Sequence, residues 1–136
     1  MGWRNSDSIT MKKVLILCFS LSVLSSCTSQ EKGTVKKVDV PTFTKGIAIE
    51  NSQLIDVRTP KEFEKGHIEG AKLINFYSES FKEEIQELDK ATPVYLYCRS
   101  GGRSGKASKL FVELGFKEIY DLKGGYIAYG KIQEEN

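Results

Sequence analysis

From residue 38 onward the apolar positions arrive in short bursts that alternate between two periods. Val38-Asp39-Val40 reads as a short strand, and Pro41-Thr42 opens a helix whose apolar positions include Phe43, Ile47 and Ala48. Gln53 to Val57 is a compact apolar strand. Thr59-Pro60 has the order of an N-cap followed by proline at the first helical position. Leu73 to Phe76 reads as another strand. Ser78 to Leu88 carries Phe81, Ile85 and Leu88 at helical spacing. Val94 to Tyr97 is apolar at every position, as expected of a central strand covered on both faces. Gly102 to Leu114 reads as a helix with Ala107, Leu110, Phe111 and Leu114 on one side, closed by Gly115. Ile119 to Leu122 is the last strand, and Gly124-Gly125 turns into a final helix through Ile132. Strands alternating with helices imply crossover connections. The pattern therefore predicts an α/β protein with a mostly parallel five-stranded central sheet. In such sheets ligands sit beyond the carboxyl ends of the strands. Cys98 occupies that position.

The residues before this region follow another logic. Met11-Lys12-Lys13 is a short positive segment, Val14 to Leu24 an apolar stretch, and Ser25-Ser26-Cys27 follows. The stretch is too short for a membrane-spanning helix but suits a secretory signal. Leu24-Ser25-Ser26-Cys27 resembles the lipobox of bacterial lipoproteins. That resemblance implies a lipid on Cys27, cleavage before it, and a cell-envelope protein anchored to the inner or outer membrane and facing the periplasm, since several acyl chains anchor stably. An ordinary cleaved signal that leaves Cys27 as a free thiol is the alternative. The expected organisation is an upstream extension or mistaken start at 1–10, a lipoprotein signal at 11–26, a lipidated polar tether at 27–37 and one folded domain at 38–133.

The 136 residues suffice for one domain. The net charge is +2, and residues 1–27, with Arg4, Lys12, Lys13 and Asp7, account for all of it. The other 109 residues hold 17 basic and 17 acidic side chains (20 less three, 18 less one). A neutral body gives no reason to propose nucleic acid as partner. The chain has three cysteines. With Cys18 in the signal and Cys27 lipidated, Cys98 is left as the sole free thiol. A lone exposed thiol in an oxidising compartment is a liability unless it has work to do.

Cys98 opens the stretch Cys98-Arg99-Ser100-Gly101-Gly102-Arg103-Ser104 between a strand and a helix. The helix start presents unsatisfied N–H groups and the positive end of its dipole. Successive turn amides can form a nest for an anion, and Gly101 and Gly102 permit the positive φ that this needs. Arg99 and Arg103 add permanent positive charge. A thiol in that company is expected to be thiolate at neutral pH and a nucleophile. Phosphoryl transfer and sulfur transfer both use such loops. Cysteine-dependent phosphatases place five residues between Cys and Arg, whereas four stand here. The shorter loop encloses a smaller object, and suits the terminal sulfur of a persulfide better than a phosphate.

Three stretches in order, residues 54–75 (LIDVRTPKEFEKGHIEGAKLIN), 94–104 (VYLYCRSGGRS) and 114–129 (LGFKEIYDLKGGYIAY), are similar to the motifs of the rhodanese family of sulfurtransferases. Tyr126 and Tyr129 stand where many members carry tryptophan. The resemblance implies a three-layer α/β/α fold. It implies a reaction in which Cys98 takes sulfane sulfur from a small anion such as thiosulfate, holds it as a persulfide among the amides of Arg99 to Ser104, and passes it to cyanide or a thiol, which could be a protein thiol. No metal or organic cofactor is implied. Asp56 and Arg58 are expected to support the loop, and His67 to tie backbone together in a turn. Two other readings stay open: a noncatalytic persulfide- or anion-binding sulfur-relay module, and a cysteine-dependent phosphatase or arsenate reductase.

Overall fold

The computed structural model describes residues 32–49 and 51–134. The expected extension at 1–10, the signal at 11–26, Cys27 and the first residues of the tether lie outside them. Five parallel strands, β1 (Thr34–Val38), β2 (Gln53–Asp56), β3 (Lys72–Leu73), β4 (Val94–Tyr97) and β5 (Glu118–Leu122), form one sheet in the order β1-β5-β4-β2-β3. The helices are α1 (Val40–Ile47), α2 (Pro60–Glu64), α3 (Phe81–Gln86), α4 (Gly102–Glu113) and α5 (Gly125–Glu134).

β4 lies in the middle of the sheet, and its side chains alternate between two cores. Val94, Leu96 and Cys98 join Ile55, Val57 and Ile119 beneath Phe81 and Ile85 of α3 and Ala107 and Phe111 of α4. Tyr95 and Tyr97 point the other way, to Val40 and Phe43 of α1 and Tyr126, Tyr129 and Ile132 of α5. These two clusters make the three layers, α/β/α.

Several boundaries differ from the sequence reading. Residues 34–37, expected in the tether, belong to β1, and Val40 begins a helix rather than ending a strand. β1 is an edge strand, and four of its five residues are exposed. It therefore carries Lys36 and Lys37 in place of apolar alternation, a common way of blunting an edge. The register runs from Thr34 opposite Glu118 to Val38 opposite Leu122. At Val40 the Asp39 carboxylate caps the helix by accepting from the Thr42 amide at 3.0 Å. β3 is also shorter than expected. Ile74 and Phe76 bond back to the Asp56 and Val57 carbonyls without extending the ladder.

Candidate active site

The site is assembled where β2 and β4 end. Cys98 follows β4 directly, and Gly101, at φ +103°, turns the chain into α4. The Gly101 amide donates to Cys98 Sγ at 3.0 Å. Burial pushes the thiol pKa up. The amide and hydroxyl of Ser104 and the amides of Gly101 and Ser100 together pull harder the other way, so it lies below the ordinary thiol value. The expectation of an exposed thiol is corrected: Cys98 is 1 % exposed. Its side chain continues the parity of Val94 and Leu96 and drops beneath the loop, so the sulfur lies between the apolar core and the Gly101 amide rather than in water.

The loop is held at both ends. Tyr126 N donates to the Cys98 carbonyl at 2.8 Å and Ile127 N to the Arg99 carbonyl at 3.1 Å, so the first turn of α5 clamps the loop backbone. Gly125 permits that approach. A Cβ there would stand 2.5 Å from the Cys98 oxygen and 2.6 Å from the Arg99 carbonyl, and its φ is +60°. On the opposite side, Arg103 Nη1 and Nη2 each donate to the Glu62 carboxylate at 2.7 Å. Glu62 also completes a capping box with Thr59 at the start of α2. Its carboxyl is lowered to about 2, chiefly by Arg103. Arg103 is thus committed to an ion pair, and its guanidinium stands 5.7 Å from the exposed Tyr77 ring.

Asp56 and Arg58 form a second, buried pair. Arg58 Nη2 meets Asp56 Oδ2 at 2.7 Å and Nε donates to both carboxylate oxygens at 3.0 Å. The Arg58 backbone N–H also reaches Asp56 Oδ1. Burial opposes the guanidinium charge, and Asp56 more than restores it. The remaining Nη2 bond goes to the Gly66 carbonyl at 2.7 Å, and the group lies 4.1 Å over the Tyr126 ring. One arginine therefore links β2, the turn at Gly66 and α5. His67 lies apart from this network: Nδ1 pairs with the Phe63 carbonyl at 3.0 Å, and the ring stacks on Phe63.

Arg99 and Ser100 are exposed, and Gly102 opens α4. Arg99 lines an open cleft of about 440 Å³ with Arg58, Glu62, Lys65, Gly66, Tyr126 and Ile127. The structure thus gathers Asp56, Arg58 and residues 98–104 at one end of the sheet and leaves His67 in its own turn. Three contributors were missed from sequence. Glu62 was signalled by the Thr59-x-x-Glu62 spacing of a capping box. Tyr126 was noted only for replacing a tryptophan. Asp121, buried beside the loop, carries no motif signal.

A cysteine at the end of a central parallel strand, its sulfur accepting from an amide of the loop that opens the next helix, defines a cysteine-loop α/β protein. Residues 39–131 match the family described as "Rhodanese-like domain", and the chain belongs to it. It is 34% identical over 122 residues to thiosulfate sulfurtransferase 18 of Arabidopsis thaliana, covering 81% of this chain and 87% of that one. It is 42% identical over 84 residues to the tRNA uridine(34) hydroxylase of Chlamydia felis, covering 57% of this chain but 26% of that enzyme. Among solved structures, a rhodanese-like domain protein from Staphylococcus aureus superposes with a TM-score of 0.60 at 27% identity, over 70% of this chain and 91% of the other.

Proposed function

We propose that this chain is a sulfurtransferase that moves sulfane sulfur from a donor such as thiosulfate to cyanide or a thiol. The observation that carries the reading is the Gly101 amide on Cys98 Sγ, inside a loop whose donors hold the thiol pKa down despite burial. The Cys98 thiolate attacks the outer sulfur of thiosulfate. Its S–S bond breaks, and sulfite leaves with the bonding pair. Loop amides hold the resulting Cys98 persulfide. Cyanide then attacks the outer sulfur, the bond to Sγ breaks, and thiocyanate leaves while the thiolate is restored. These two half-reactions predict ping-pong kinetics. No base is needed, which fits the placement of Asp56 in an ion pair and of His67 against the Phe63 carbonyl and ring. Arg99 and Lys65 in the adjoining cleft supply positive charge to draw in an anionic donor.

The test is thiocyanate formation from thiosulfate and cyanide, with intact-mass detection of one added sulfur after donor alone. Cys98→Ser should abolish both. Activity that survives the substitution refutes the assignment. Hydrolysis of a chromogenic phosphate, lost in the same variant, would favour the phosphatase reading instead.

The lipid anchor at Cys27 and the envelope location belong to this proposal, supported by the segment from Met11 to Cys27. Labelled fatty acid should enter the wild-type chain in a bacterial host and not Cys27→Ala. Equal labelling of both refutes the anchor.

A further inference from the structure

Asp121 is a buried acid that the scheme above leaves unused. It lies near the end of β5, 2 % exposed, in register with Leu96 of β4 on one side and Lys37 of β1 on the other. It shares the parity of Ile119, whose side chain packs beneath α4. A Cβ on Gly105, in the first turn of α4, would stand 3.8 Å from Asp121 Oδ2. The other oxygen, Oδ1, is buried with no hydrogen-bond partner, and so is Ser104 Oγ. A buried polar atom left unsatisfied costs about 1–3 kcal/mol, so two such atoms around one helical turn need a reason. The Ser104 hydroxyl is near enough to influence both the Cys98 thiol and the Asp121 carboxyl, although it completes a well-formed bond to neither.

We infer that Asp121 is a positioning residue for the nucleophile: its carboxyl fixes the Ser104 hydroxyl so that the serine proton is directed at Cys98 Sγ. The inference rests on the reading of Cys98 as nucleophile and deepens it. Burial raises the Asp121 pKa against the smaller pulls of Ser104 and Lys37, and this favours the acid form. A carboxylic acid has one proton to donate. Given to Ser104 Oγ, it leaves the serine's own proton for the sulfur. An ionised Asp121 would accept that proton's hydrogen bond and turn it away from the thiolate. No proton changes owner and no bond to sulfur forms. The arrangement adds one hydrogen-bond donor to the thiolate.

The test is the pH profile of alkylation of Cys98 by iodoacetamide in the full chain. The Cys98 peptide is followed by mass spectrometry so that Cys18 and Cys27 do not contribute, and each variant is scaled to its own alkaline plateau. Loss of a donor to a charged group makes Ser104→Ala about tenfold slower on the acid side of the profile. Asp121→Leu should match it, and the double variant should be no slower than either alone. Asp121→Asn, whose amide NH2 can donate to Ser104 in place of the acid, should keep the wild-type profile. Additive effects in the double variant, a wild-type profile in Asp121→Leu, or an Asp121→Asn profile displaced as far as that of Ser104→Ala would overturn the inference. If Asp121→Leu does not fold, the Asp121→Asn result decides. Alkylation requires no sulfur transfer. Failure of the thiosulfate assay therefore sinks the sulfurtransferase reading and leaves this result interpretable.

Discussion

Glu62, at the start of α2, grips Arg103, in the first turn of α4, through two parallel hydrogen bonds of 2.7 Å. The two residues are 41 positions apart, so the pair pins the active loop to a separate helix. Its carboxyl pKa is lowered to about 2 from an ordinary 4.5. A depressed acid contributes stability that is complete above its unfolded value and is lost as pH falls through its folded value. The contribution should therefore disappear between pH 4.5 and about 2. Because the pair is partly exposed, Glu62→Gln should cost only about 1 kcal/mol and lower Tm by about 4–8 °C. The Tm difference between wild type and variant, followed through that acid range, should close. A constant difference would remove the ion pair as its cause.

Two glycines of α5 should respond in opposite directions to alanine. Gly125→Ala puts a methyl group against the Cys98 and Arg99 backbone at a positive φ. The loop must move, so sulfur transfer should fall at least tenfold and Tm should drop. Gly130→Ala meets nothing within 4 Å. It should stabilise the helix by about 0.5–1 kcal/mol with unchanged turnover. Thermal melts and the thiocyanate assay on both variants decide the matter.

Asp56→Ala would strand the Arg58 guanidinium in a site where that residue is 3 % exposed. Removing one partner of a buried pair costs about 3–5 kcal/mol. Denaturant unfolding should show a loss of that size. A loss below about 1 kcal/mol would mean that water reaches the arginine.

The lowered Cys98 pKa makes a kinetic prediction. The rate of sulfur loading should fall as the thiolate is protonated, with a midpoint below that of an ordinary thiol. The thiolate's contribution to stability has the same sign: complete above the ordinary thiol titration, and lost as pH drops through the lowered value. Thiosulfate single-turnover rates across pH, with intact-mass readout of the persulfide, test this.

The sheet's middle could be read from the sequence and its rim could not. β4 was legible residue for residue because burial on both faces removes every polar position from Val94 to Tyr97. α4 was legible within one residue through its apolar stripe and Gly115. β1 was not, because an edge strand with exposed Lys36 and Lys37 has the composition of a linker. α3 starts at Phe81 rather than Ser78, because Ser78 and Ser80 bond to each other and shape a turn before it. At the site, the Cys98 loop and the Asp56–Arg58 support could be foreseen from chemistry. The links that depend on distant contacts, Arg103 to Glu62 and Tyr126 over Arg58, required the fold. Burial of the thiol likewise follows from strand parity and the helix above it, which a linear reading of the loop did not weigh.

Strand parity also constrains how this chain can change. One residue inserted into or deleted from β4 would rotate the sulfur toward the tyrosine-lined half of the molecule and put a phenol ring under the amides. The length of that strand is therefore as tightly tied to reactivity as the identity of the cysteine. Insertions should be tolerated at the opposite ends of β2 and β4, where the turns around Asn51 and Ala91 lie away from the chemistry.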